Sequence, residues 1–319
     1  MIAKLKKNIL IFISLAAILY LILSLYADYN SIKQAFKKFN WAYFPLLIIL
    51  AFLNYQFRFI KWHYYIKLLN IELKIMDSYK IFMSGLVMSV TPGKFGEVIK
   101  AYLVKNKTNV NVAKTAPIIF VERLTDLISV ILLALIGAFY FNFAKTFVLI
   151  TLFLFLIIVY LVSNKTITLR ILGLLENIKF LNKYLHKINE AYESSYNMLQ
   201  LRELLYMIFV SIVAWGFECI AYYLILINFN ISFGIIETML FAMFVYTLST
   251  IIGSISMLPG GLGLTEIAFT FLMQSKGIPK DLSVASTMII RVVTLWFAVI
   301  VGILFTLNYQ KELKNIEDI

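Results

Sequence analysis

"SVTPGKFGEVIK", residues 89–100, and "SMLPGGLGLTEIA", residues 256–268, share one pattern: a Pro-Gly step, then Phe or Leu, a second Gly and a Glu close behind. Proline removes a backbone donor and glycine permits a sharp turn, so each stretch breaks a helix. Hydrocarbon cannot hydrogen-bond the backbone groups a break sets free, so a break inside a membrane must line protein or a watery cavity. A helix restarting after it offers free N–H groups and a positive dipole end, which suit an anion. Two matched breaks half a chain apart therefore point to paired broken helices.

The surroundings are those of a membrane protein. Of the 319 residues, 61% are hydrophobic, and the mean hydropathy is +0.87. Apolar runs at Asn8–Tyr26, Trp41–Phe57, Thr115–Phe141, Phe147–Ser163, Leu204–Ile227, Ile235–Leu258 and Val284–Leu307 approach or exceed the roughly 20 residues a helix needs to cross a bilayer. The first run is too long, and too closely followed by others, for a cleaved leader. Cys219 is the only cysteine, and His63 and His186 the only histidines, so neither a disulfide within the chain nor a thiolate or histidine-rich metal site is expected. No cofactor is expected. The net charge of +12 fits basic loops on one side of a membrane better than nucleic acid.

With both termini in the cytoplasm, Lys4, Lys6, Lys7 and the basic residues of 58–80, 94–114, 165–202 and the tail lie inside. That places 21 Lys/Arg inside and 6 outside, with Arg123 and Arg291 left within apolar runs. Lys33, Lys37 and Lys38, in the outer loop at 27–41, depart from the rule. The count works only if Ile235–Gln274 enters and returns on the outer side, so a re-entrant hairpin is expected there. The predicted architecture is all-α and polytopic: about six full transmembrane helices plus two re-entrant broken hairpins in an inverted repeat.

One integral membrane domain is expected over residues 1–319, with the first helix and outer loop at 1–40. A first half at 41–163 contains a hairpin at 79–105, a second half at 204–310 contains one at 235–275, and 311–319 is the tail. Between the halves, at 164–203, Leu174, Ile178, Leu181, Leu185, Ile188 and Tyr192 form one apolar helix stripe from which Lys179, Lys183 and Lys187 are excluded; this reads as a cytoplasmic linker helix at the headgroup boundary. The halves resemble each other in "YYIKLLNIEL" and "YYLILINFNISF", in the broken hairpin, and in an arginine 31 residues after Pro92 and 32 after Pro259. An odd number of spans separates their first helices, so they run oppositely. Inverted repeats with paired broken helices place transporter sites near the midplane.

Charges within apolar runs mark the chemistry. Glu122, Arg123 and Asp126 share one run, Glu218 lies in another and Arg291 in the last. A central charge costs about 2.5–3.5 kcal/mol on insertion scales, so such residues face a cavity and a partner. Glu122 and Asp126 are spaced for one helix face, and Arg123 and Asp126 for pairing.

"TPGKFGEVIKAYLV", "ERLTDL" and "LPGGLGLTE" resemble, in order, the signature stretches of the lysylphosphatidylglycerol synthase transmembrane-region family, also called the flippase-like domain family. The resemblance covers nearly the whole chain. It implies a polytopic inner-membrane protein with re-entrant hairpins, associated with moving an aminoacylated or glycosylated lipid between leaflets, and the expected function is transport of an anionic or aminoacylated phospholipid or a polyprenyl-linked lipid. The positions it implicates are Pro92, Gly93, Gly96, Glu97, Glu122, Arg123, Asp126, Pro259, Gly260, Gly261, Gly263 and Glu266. Arg291 joins them through the repeat, and Lys94 stands where the family often has arginine, keeping the charge but losing bidentate phosphate recognition. A chain ending at Ile319 is not expected to hold the soluble aminoacyl-transferase domain of bifunctional members.

The expected partners are membrane lipids, with a second copy of the chain or a separate lipid synthase as further candidates. Without a Walker motif, ATP is not expected to drive transport directly. A lipid-modifying enzyme, such as a polyprenyl-phosphate glycosyltransferase, is the alternative. It calls for an acidic metal motif or a nucleophile–base pair, and the sequence has no DxD and no histidine within the apolar runs listed above.

Overall fold

The computed structural model describes residues 18–22, 25–26, 28–166, 168 and 185–317. Its helices are α1 (Tyr29–Lys38), α2 (Phe44–Leu68), α3 (Ile75–Gly85), α4 (Ile99–Thr108), α5 (Val112–Tyr140), α6 (Lys145–Ser163), α7 (Leu185–Met198), α8 (Leu201–Asn228), α9 (Ile235–Ile255), α10 (Leu264–Gln274), α11 (Lys280–Arg291) and α12 (Phe297–Glu317). Among the described residues, five helical segments are long and apolar enough to cross a membrane: Trp41–Leu68, Lys145–Ser163, Leu201–Asn228, Ile235–Ile255 and Lys280–Asn308. The chain is an all-α polytopic membrane protein.

Two opposite faces follow from the contacts. Asn40 N–H donates to Asn228 Oδ1 at 2.8 Å and Asn228 Nδ2 donates back to the Asn40 carbonyl at 3.2 Å, so the start of α2 and the end of α8 share one face. Phe141 packs on Phe241, and Lys276 lies over Phe141 at 4.6 Å, which brings the end of α5, the start of α9 and the end of α10 to that face too. The other is the linker face. There Lys107 pairs with Asp77 at 3.3 Å, Asn111 donates to Glu190 at 3.0 Å, and Ser163 donates to the Leu199 carbonyl at 3.2 Å. α2 thus runs toward the linker face and α8 away from it.

In both α3–α4 and α9–α10 the two ends of the helix pair come near each other, through Asp77 and Lys107 in the first and through Phe141, which meets Phe241 and Lys276, in the second. α2 and α8 end alike: Ile71 N–H bonds back to Ile66 and Ile231 N–H to Leu226, with Asn70 (φ 52°) and Asn230 (φ 56°) in the left-handed conformation. Asparagine tolerates that conformation, and it stops the helix. Ile75 and Ile235 then open α3 and α9. The equivalent asparagines are therefore Asn70 and Asn230, and the two tyrosine pairs that suggested the repeat are two residues out of register.

The breaks themselves are short turns. Leu86–Val90 and Pro92–Val98 are 3-10 turns, and Pro259–Gly261 is a third. The hairpin tips touch where Gly93 N–H donates to the Met257 carbonyl at 3.1 Å. α12 closes on the first tip: a Cβ on Gly302 would collide with the backbone of Val87. After Arg291, a π-helical turn over Val292–Trp296 interrupts α11 and α12, and Tyr55 OH donates to the Thr294 carbonyl at 2.8 Å.

The linker is only partly described. Leu174, Ile178, Leu181, Lys179 and Lys183 lie outside the described residues. Within α7, Tyr192 is buried, and the helix packs on the linker ends of α5 and α6, so it continues the bundle at that face.

Candidate functional site: a buried charge cluster

Three elements converge at the inner side of the first hairpin. α2 brings Arg58 and Lys61, three apart on one face; the 3-10 turn and α4 bring Glu97 and Lys100; α5 brings Glu122, Arg123 and Asp126. Lys61 Nζ donates to the Asp126 carboxylate, to Ser211 Oγ at 2.7 Å, and to Thr125 Oγ1 and the Glu122 carbonyl at 3.2 Å each. Lys100 Nζ bonds Glu122 Oε2 at 2.7 Å, lies 3.4 Å from Glu97, and sits over the Trp62 ring at 4.5 Å. These lysines are 1% exposed, so their charges rest wholly on the carboxylates.

The arginines are held more loosely. Arg58 lies 3.9 Å from Glu97 and 3.8 Å from Asp126; Arg123 lies 3.3 Å from Glu97 and 3.5 Å from Asp126. Arg58 Nε, Arg123 Nε and Nη2, and Asp126 Oδ2 are buried with no hydrogen-bond partner among the described residues. Buried polar groups are normally satisfied, so the open arginine donors, with the open Asp126 acceptor beside them, suit a water or a ligand. The Arg123 side chain is 21% exposed, against 7% or less for the other ion-paired side chains of the cluster, so the cluster meets the exterior at Arg123.

Among the described residues, Arg58, Lys61, Lys100 and Arg123 face Glu97, Glu122 and Asp126: four cations against three carboxylates. An uncompensated buried cation is costly, and an anion that enters removes the cost.

The second half carries a tighter device. Arg291 Nε donates to Glu266 Oε1 at 2.7 Å and Nη2 to the Gly260 carbonyl at 2.6 Å, while Glu266 Oε2 accepts from Gly263 N–H at 2.8 Å. Glu266 caps α10 and aims Arg291 at the turn. Gly260 (φ 60°) takes a conformation that favours glycine, and a Cβ there would sit 3.2 Å from Leu295. Gly261 and Gly263 likewise have positive φ, and Pro259 opens the turn. Glu218 accepts a hydrogen bond from Tyr246 OH on α9.

The structure brings Glu97, Glu122, Arg123 and Asp126 together, and Glu266, Arg291 and Gly260 together at the other tip. Pro92, Gly93 and Gly96 form the first turn, where a Cβ on Gly96 would press on Thr91 and Met88. The Lys94 side chain lies outside what is described. The N–H groups expected to receive an anion are engaged: Gly93 with Met257, Gly96 with Thr91 Oγ1, and Gly263 with Glu266. Arginine side chains, not helix ends, are the open donors.

Sequence reasoning missed Arg58, Lys61 and Lys100, which it counted among basic loops. α2 runs on to Leu68, so Arg58 and Lys61 are buried within a spanning helix, as is His63, which pairs with Ser78 Oγ at 2.9 Å. The i, i+3 spacing of Arg58 and Lys61 just past an apolar run was the available signal. Lys100, three residues after Glu97, was another.

Among the described residues, no group of three or more His, Cys, Asp or Glu is arranged to hold a metal ion. The fold and site define a multi-pass helical membrane protein with two touching broken hairpins and a cation-rich cluster buried beside one of them. The chain belongs to the family of the lysylphosphatidylglycerol synthase TM region, which matches residues 10–302. It is 29% identical over 245 residues to a UPF0104 membrane protein of Methanocaldococcus jannaschii, covering 72% of this chain and 98% of that one. A UPF0104 membrane protein of Pyrococcus horikoshii is 23% identical over 97% of this chain and 99% of its own length. A second one from Methanocaldococcus jannaschii is 24% identical over 97% of each.

Proposed function

We propose that this protein carries a lipid with an anionic phosphate headgroup between the leaflets of the cell membrane, with the linker face in the cytoplasm. Arg123 meets the phosphate at the rim, Arg58 receives it deeper, and the acyl chains stay in lipid. One observation carries the reading: among the described residues, three buried cations and the part-exposed Arg123 face three carboxylates, and donors on both arginines are open. Charge-assisted bonds from guanidinium to phosphate offset the loss of water around the headgroup. The carboxylates hold the arginines while the site is empty. The two hairpins are read as re-entrant, and the family name supports a lipid context.

The test is leaflet exchange in liposomes containing the full chain. Fluorescent phosphatidylglycerol should become accessible to an impermeant quencher faster than in empty liposomes, and Arg123→Ala should return it to the empty-liposome rate. Full exchange by correctly folded Arg123→Ala would overturn the assignment. The reading is of a carrier and not an enzyme, so lipids recovered after exchange should be chemically unaltered. A separate synthase is the proposed supplier of any modified headgroup.

A further inference from the structure

On the face opposite the linker, Lys33, Lys37 and Lys38 belong to α1, and the other basic residues there are Lys145, Lys276 and Lys280. The latter three are used internally: Lys145 lies over Phe139 at 5.1 Å, Lys276 over Phe141 at 4.6 Å and Lys280 over Tyr26 at 4.8 Å. Among the described residues, Lys33 and Lys37 form no ion pair or hydrogen bond. They line a concavity of about 550 Å³ whose other walls are Tyr29, Phe36 and Trp41.

The walls are fixed. Ile32, Ala35 and Phe39 are buried on the opposite stripe of α1, with Ile32 packed on Val284 and Met288 of α11, so the Tyr29–Lys33–Lys37 stripe faces away from the bundle. Trp41 Nε1 donates to the Phe36 carbonyl at 3.0 Å, and the two rings stack with centroids 6.2 Å apart. The Asn40–Asn228 bonds anchor the end of α1 to α8. Tyr29, Trp41 and Tyr43 are all exposed beside the first turn of the spanning helix α2, the level at which aromatic side chains meet lipid headgroups.

We propose that this concavity is a binding site for the phosphate of an anionic phospholipid, held by Lys33 and Lys37 with the glycerol and upper acyl chains along Tyr29 and Trp41. Two unneutralised ammonium groups one helical turn apart can both reach one phosphate monoanion and attract it, and the aromatic floor matches the lipid below it. The site is separate from the buried cluster. Its occupancy does not depend on leaflet exchange, so either reading can fail alone.

The test places the photo-crosslinking residue p-benzoylphenylalanine at Tyr29 of the full chain, in nanodiscs of equal phosphatidylglycerol and phosphatidylcholine, with adducts identified by mass. Phosphatidylglycerol adducts should exceed phosphatidylcholine adducts roughly twenty-five-fold, since each of the two lysines near an anionic headgroup contributes about fivefold. K33Q/K37Q should bring the ratio near one, while K33R/K37R and K276Q/K280Q keep it; the arginine variant guards against a loss caused by misfolding. A ratio near one in the unaltered chain, or one unmoved by K33Q/K37Q, would overturn the site. Inorganic phosphate should lower the ratio no more than chloride at equal ionic strength; a selective loss in phosphate would reassign the concavity to a free anion.

Discussion

Arg58 and Glu218 occupy equivalent places in oppositely directed helices: each stands twelve residues before the left-handed asparagine, Asn70 or Asn230, that ends its helix. One framework therefore carries opposite charges. In the first half Arg58 joins a cluster rich in cations; in the second Glu218 takes a hydrogen bond from Tyr246. The repeat supplies the geometry and the side chains divide the labour.

Asp126 is the carboxylate on which the first cluster turns, because Lys61, Arg58 and Arg123 all lean on it. Among the described residues, Asp126→Asn would leave the four cations of the cluster facing two carboxylates. Removing one partner of a buried pair costs about 3–5 kcal/mol, so a large fall in thermal stability in detergent is expected. Lys61→Met should also destabilise, but combined with Asp126→Asn it should recover part of the loss by removing one cation. Unchanged melting in Asp126→Asn would contradict the cluster's ion pairing.

Arg123 and Arg291 should fail in different ways. Arg291 is braced by Glu266 and the Gly260 carbonyl, so Arg291→Ala frees a hairpin tip and leaves Glu266 without its cation. The expected result is poor yield and a loss of about 3–5 kcal/mol. Arg123 makes longer contacts at the rim, so Arg123→Ala should cost less stability and more activity. Size-exclusion profiles and melting curves of both variants, set beside exchange rates, check this; equal destabilisation of the two would remove the distinction.

Much of this was legible because lipid imposes simple rules. Apolar length marked the spans, Pro-Gly pairs marked the breaks, and charges in the middle of α5 marked one wall of the cluster. The rest was hidden where a helix outlasts its apolar run. Arg58 and Lys61 look like the start of a basic loop until α2 is seen to continue to Leu68. Lys100 sits in an ordinary basic stretch, and only folding brings it onto Glu122 and Trp62. Arg291 matched Arg123 by spacing, yet spacing could not tell a brace from an open donor.

Close packing of α12 gives a sharper steric test. Gly302 lies against the backbone of Val87, whereas a Cβ on Gly216 of α8 would meet nothing within 4 Å. Gly302→Ala should cost at least about 1–3 kcal/mol, since backbone cannot step aside as a side chain can. Gly216→Ala should be neutral or stabilise by up to about 1 kcal/mol through helix propensity. Melting curves that rank the two in the opposite order would refute this packing.

The last prediction concerns orientation, on which the direction of the proposed transport depends. Burial of Arg58, Lys61 and Lys100 removes three of the cations that favoured a cytoplasmic linker face. The bias survives, because among the described residues the opposite face has only Lys33, Lys37, Lys38, Lys145, Lys276 and Lys280. Basic residues near span ends set orientation, so the linker face is expected in the cytoplasm. Cys219 is the single native thiol and is buried, so Cys219→Ala gives a clean background. In intact cells, an impermeant maleimide should label Lys33→Cys and Lys276→Cys but reach Lys105→Cys and Lys114→Cys only after lysis. Lys276 lies just beyond α10, so its labelling together with Lys33 also tests the α9–α10 hairpin: a full crossing by Ile235–Ile255 without return would put Lys276 on the face of Lys105. Labelling of Lys105→Cys before lysis would invert the protein. Labelling of Lys33→Cys without Lys276→Cys would leave the orientation and overturn the hairpin.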